Sequence, residues 1–104
     1  MDRQPIGHQL VGKNCIFRTR EGVFIGRLKT RDRKEVLIED CRRIFGWSPS
    51  ISSLSELAVK GTHCPEECQF SIATPVTLLT DVTEILLVTE EAMESLHKVP
   101  AWTG

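Results

Sequence analysis

The sequence predicts an α+β domain: an antiparallel β meander forming a strongly bent sheet or small barrel, with a short middle helix and a C-terminal helix. Three observations carry this. Apolar and polar residues alternate in short runs through the first half, the period of a half-buried strand. Turn-forming residues separate those runs. Ser53 and Thr89 each stand as a cap before apolar residues at helical spacing.

The first 13 residues contain Pro5, Gly7 and Gly12 and read as an irregular N-terminal arm, so the single α+β domain spans 14–104. NCIFRT (14–19) reads as the first strand, and Glu21-Gly22 as a tight turn. VFIGRLKT (23–30) is the second strand, where Gly26 signals a bulge or the close approach of another backbone. RDRK (31–34) turns the chain into a third strand over 35–44, with Val36 and Ile38 on one face and Leu37 on the other.

Serines gather at Ser48, Ser50, Ser52 and Ser53, around Pro49. Ser53 with Glu56 three residues later forms a capping box, and Gly61 is a natural helix terminator. Between them Ile51, Leu54, Leu57 and Ala58 share one helix face. THCPEECQ is a loop. Short strands follow at 70–72 and 76–79, interrupted by Pro75, and TEILLV (83–88) is the strongest strand signal. Thr89 caps the last helix, TEEAMESLHK, with acids in its first turn and His97 and Lys98 in its last. Pro100 ends that helix, and Trp102 in the tail packs on the core or on a neighbouring subunit.

A chain of 104 residues has room for one core, and 40% apolar with 26% charged residues is the composition of a soluble globular domain. So small a fold leaves much apolar surface in water, which favours a homo-oligomer, a dimer or higher. No apolar run has the length of a membrane span or signal peptide, so the expected setting is cytosolic and without a membrane partner. Cys15, Cys41, Cys64 and Cys68 are then reduced thiols, and HCPEEC matches no standard zinc spacing. No cofactor is expected.

The net charge of −1 conceals an asymmetry. Residues 1–47 hold eleven Lys or Arg against six Asp or Glu, including all eight arginines, whereas residues 48–104 hold two against eight. A basic, strand-rich half points to an anionic partner. Long nucleic acid is disfavoured, because the acidic half would repel it.

Catalytic sites are not evident in the sequence. The histidines available as bases are His8, His63 and His97, in the arm, beside Cys64 in a loop and at a helix end. No glycine-rich phosphate loop occurs. DCRRIFGWSPS (40–50) is different. Arg42 and Arg43 offer forked donors for phosphate oxygens, Trp47 a surface on which a base can stack, and the helix start at Ser50 and Ser53 hydroxyls and free amides. Arg18 and Thr19, ending the first strand, are weaker candidates for the same pocket. On a strand Arg42 and Arg43 face opposite sides, so one of them is expected to be a solvated or paired cation. Trp47 alone is more readily a core or interface anchor than a stacking surface, and Ser53 a simple cap.

FRTREGVFIG (17–26), DCRRIFGWS (40–48), SLSELAVKG (53–61), PEECQF (65–70) and LLTDVTEILLVTEEAMESL resemble, in order and spacing, a widespread family of small tailed-phage proteins. The resemblance covers nearly the whole chain from about residue 14 to Trp102. That family's pattern has three aromatics after the double arginine and Ile, whereas here Phe45 and Gly46 replace two and Trp47 remains as the indole. The resemblance implies a counter-defence protein of the host cytoplasm, an anti-CBASS-type sponge that binds a cyclic di- or trinucleotide without cleaving it. The alternatives are a module that docks on a host protein and a small single-stranded nucleic-acid-binding protein.

Overall fold

The computed structural model describes residues 6–47, 51 and 53–102. Ser50, together with Ser48, Pro49 and Ser52, lies outside the described residues. Six strands form one antiparallel sheet: β1 (Asn14–Thr19), β2 (Val23–Asp32), β3 (Glu35–Gly46), β4 (Gln69–Phe70), β5 (Thr74–Leu79) and β6 (Val82–Leu87). Two helices, α1 (Leu54–Lys60) and α2 (Glu90–Leu96), complete the α+β fold. The sheet order is β4, β3, β2, β1, β6, with β5 following β4 along the same edge of β3.

This sheet is bent but open. β5 and β6 lie on opposite edges, yet only Thr80 and Asp81 join them. Three Cα steps span at most about 11 Å, so the edges must approach each other at that end. The β2–β3 hairpin shows the same curl. The Val82 amide donates to Lys34 O at the hairpin tip (3.0 Å), while Val82 also pairs with Thr19, beside the far end of β2. A straight strand from Val23 to Lys34 would separate those points by roughly 36 Å. Bulges on both strands of this hairpin, one extra residue in β3 at Asp40 opposite Gly26 and one in β2 at Lys29, take up the bend. Gly26 must lack a side chain, because a Cβ there would press on Ile38 and stand 3.0 Å from Glu39 O.

The curl separates two cores. Inside it Cys15, Phe17, Phe24, Leu28, Val36, Ile38, Cys41, Leu79 and Val82 pack together. Outside it the helices bury Leu54, Leu57, Ala58, Ala92 and Leu96 against Ile16, Ile25, Ile44 and Phe70. Successive β1 residues therefore alternate cores, as the period of two requires.

Both helices begin as their sequences dictate. Ser53 Oγ accepts from Glu56 N at 3.1 Å and Thr89 Oγ1 from Ala92 N at 3.0 Å. Gly61 ends α1 at φ 72°, where a side chain would also strike Ser95 and Ala92 of α2. The second helix is shorter than its sequence pattern suggests. It closes at Leu96, and His97 sits past its end as the C-cap, with its ring Nδ1 2.8 Å from Met93 O. Pro75 does not interrupt β5, since edge strands tolerate the missing N–H. Trp102 folds back on its own chain, donating its backbone N–H to Phe70 O at 2.8 Å.

Candidate functional site: two clefts on opposite faces of one strand

Asp40 decides where the double arginine points. Its φ of 52° is left-handed, and the β2–β3 register passes from Arg27 opposite Glu39 to Ile25 opposite Arg42, so β3 carries one extra residue there. Before this bulge the even-numbered Val36 and Ile38 face the inner core. After it the odd-numbered Cys41 and Arg43 do, while Arg42 and Ile44 turn to the helix side.

Arg43 lies with its guanidinium carbon 4.8 Å from the centre of the Phe24 ring. Among the described residues it has no carboxylate partner, unlike Arg18, Arg20 and Arg27. It lines an open cleft of about 250 Å³ with Phe24, Cys41, Phe45, Ser71, Thr74 and Thr77. The Phe45 ring is half exposed and packs 5.3 Å from the ring of Trp102, itself 44% exposed. The cleft thus combines an unneutralised cation, three hydroxyls and an accessible aromatic face. Burial raises the pKa of the Cys41 thiol at its base, with a Thr77 hydrogen bond and the charge of Arg43 opposing more weakly, so Cys41 is no ready thiolate.

Arg42 enters the other face. It lies 5.0 Å over the Phe70 ring, donates from Nε to Ser71 O at 2.7 Å, and is half-buried. Burial lowers its pKa, although a guanidinium stays charged at any ordinary pH. The cavity beside it, about 260 Å³, is bordered by Asn14, Arg27, Asp40, Met93, Leu96 and His97. Arg27 is already held by Glu39 at 3.3 Å and Asp40 at 3.5 Å. This cavity is the more nearly neutralised of the two, since Asp40 on its border faces Arg27. Ser71 separates them: its carbonyl holds Arg42, and its Oγ accepts from Arg43 N at 2.8 Å.

The structure divides the other residues singled out in the sequence. Trp47 packs against the helix-side core and donates its indole N–H to Ile51 O at 3.1 Å, so it anchors the chain away from the Arg43 cleft. The Ser53 hydroxyl is engaged in capping α1. Arg18 pairs with Glu84 at 3.1 Å across the β1–β6 edge. Thr19 Oγ1 is consumed by the β1–β2 turn, accepting from the Glu21 and Gly22 amides at 3.1 Å each. That turn nonetheless borders the cleft, since a Cβ on Gly22 would stand 3.9 Å from Arg43 Nη1. Sequence reasoning missed Phe45, Ser71, Thr74, Thr77 and Trp102. Of these only Phe45 carries a signal, two residues after Arg43 and so on its face.

Among the described residues no helix is long and apolar enough to cross a membrane, and no three His, Cys, Asp or Glu side chains gather into a metal-holding group. The arrangement is that of a small α+β domain with a curled sheet and a cationic, aromatic cleft. By comparison with protein families the chain belongs to a domain family of unknown function, DUF6948, whose model matches residues 12–96. No curated protein matches it.

Proposed function

We propose that the chain binds a nucleotide at the Arg43 cleft and holds it without turnover. In its specific form, the reading is a phage counter-defence protein: a homo-oligomer in the host cytoplasm that sequesters a cyclic di- or trinucleotide immune messenger. The observation that carries it is Arg43, a cation without a carboxylate partner among the described residues, seated on Phe24 beside the half-exposed Phe45. The guanidinium fork fits phosphate oxygens, and the aromatic face stacks on a base for about 1–3 kcal/mol. Ser71, Thr74 and Thr77 give the cleft a polar wall whose hydroxyl oxygens can accept from sugar hydroxyls, their own protons being held by Ile72 O, Cys41 O and one another.

Retention without cleavage agrees with the lining of the cleft, which among the described residues contains no histidine and no carboxylate to take a proton. About 250 Å³ is below the roughly 300–1,000 Å³ of a complete small-molecule site, so one cleft fits one phosphate–base unit. A cyclic oligonucleotide repeats that unit, and an oligomer repeats the cleft.

The test is calorimetry against a panel of cyclic and linear nucleotides, followed by denaturation and chromatography of the released ligand. A raised 260/280 nm absorbance ratio of the freshly purified protein would reveal a co-purified nucleotide beforehand. Binding of a cyclic nucleotide with its intact recovery supports the proposal. Absence of binding across the panel, or recovery of a cleaved product, sinks it.

A further inference from the structure

Among the described residues the sheet has two free edges, and they are unlike. β6 is an edge guarded by charge: Glu84 is exposed and paired with Arg18, and Asp81 at its start stands 3.9 Å from Arg20. β5 is not guarded. From Cys68 to Thr80 the chain holds no charged residue, the longest such run in the sequence. Val76 and Leu78 on β5 are 52% and 58% exposed, and Ile72 just before it 67%. Leu78 pairs with the half-buried Leu37 of β3, so an apolar strip continues across the outer face onto the neighbouring strand. An uncharged, apolar strand with one edge unpaired is a template for another strand, and proteins normally blunt such edges with lysine or other charges.

We infer that β5 is the self-association surface of this protein, occupied by β5 of a second copy in antiparallel pairing. Charge selects that occupant. Across a two-fold axis each residue of a patch meets the same patch, so a charged strand would face its own like charges, and this strand carries none. The basic residues of the first half and the acids of the last helix stay outside the contact. An antiparallel pair generated by a two-fold has its axis perpendicular to the sheet, which keeps both inner faces on the same side. Thr74 and Thr77 of β5 line the Arg43 cleft, so the pairing would bring the two clefts to either side of one axis. The inference deepens the homo-oligomer part of the proposed function and stands independently of the ligand.

The test uses sedimentation velocity on the wild-type chain and on Val76→Lys and Leu78→Lys. Both side chains point away from the clefts and are exposed, so far-UV circular dichroism should be unchanged. The wild type is expected to sediment at twice the chain mass and both variants at the chain mass. Hydrogen exchange of the β5 amides in the wild type, followed from high to low protein concentration, gives a readout without substitution, and their protection should fall on dilution. A monomeric wild type, or variants that associate unchanged, overturns the inference. If the variants dissociate but neither they nor the wild type bind nucleotide, the surface stands and the ligand reading fails. If nucleotide binds to a wild type that is monomeric, the reverse holds.

Discussion

The guanidinium of Arg43 rests 4.8 Å from the centre of the Phe24 ring, inside the curl of the sheet. Its chain neighbour Arg42 performs the same contact on Phe70 at 5.0 Å, but on the helix side. Two adjacent arginines thus have different occupations. Neither has an ion pair among the described residues, but Arg42 also holds the Ser71 carbonyl and is half-buried, whereas Arg43 is exposed.

Stability should separate the two. Arg42→Ala removes a charged hydrogen bond and leaves the Ser71 carbonyl without that donor, a loss of about 1.5–3 kcal/mol. Arg43→Ala removes an exposed cation–π contact of about 0.5–1 kcal/mol. Urea denaturation of both variants checks the order. Equal losses would contradict this division of roles.

Asp40 carries the bulge that assigns each arginine its face. A β-branched residue at its left-handed φ of 52° is strained, and the contact to Arg27 would go as well. Asp40→Val should therefore lose about 1–2 kcal/mol, while Asp40→Gly stays within about 0.5 kcal/mol of wild type. A well-tolerated valine in thermal unfolding would show that the bulge needs no left-handed residue.

The Cys15 thiol, fully buried, is pushed from 9.0 up to about 11 by burial. Its folded-state pKa is raised, so its stabilising contribution is complete below pH 9 and is lost as pH rises toward 11. A shift of that size corresponds to about 2–3 kcal/mol. Unfolding free energies measured across this window should fall in the wild type and fall less in Cys15→Ala, which starts from lower stability. Parallel curves would remove the thiol as the cause.

Trp102 reports on the cleft through its ring contact with Phe45. A base stacking on Phe45 should quench or shift tryptophan emission. Trp102→Phe should abolish the change, while Trp47→Phe should keep it, because the Trp47 indole is bound to Ile51 O in the other core. The opposite result would place the ligand on the helix side.

Much of the fold was legible because local rules decide it. The alternation of NCIFRT fixes β1 to the residue, and Ser53, Glu56 and Gly61 fix α1. The choice between bent sheet and barrel was not legible, since it depends on how far the bulges in β2 and β3 curl the hairpin. At the site, a strand period of two correctly sends Arg42 and Arg43 to opposite faces. Which face each takes depends on Asp40, a residue that bears a left-handed φ without announcing it. Trp47 can be read from the sequence as a stacking surface or as an anchor, and its partner, the Ile51 carbonyl, is set by the path of the chain through the turn. Phe45 and Trp102 meet only through the return of the C-terminal segment along Phe70, which no local pattern encodes.

The central claim is that Arg43, and not Arg42, grips the ligand. Calorimetric titration of the wild type, Arg43→Ala and Arg42→Ala with the cyclic nucleotide that the wild type binds tests it most directly. Loss of one charged hydrogen-bonding partner predicts weakening of roughly tenfold to a hundredfold for Arg43→Ala, and a change within about twofold for Arg42→Ala. Undiminished binding by Arg43→Ala, or selective loss in Arg42→Ala, would contradict the account.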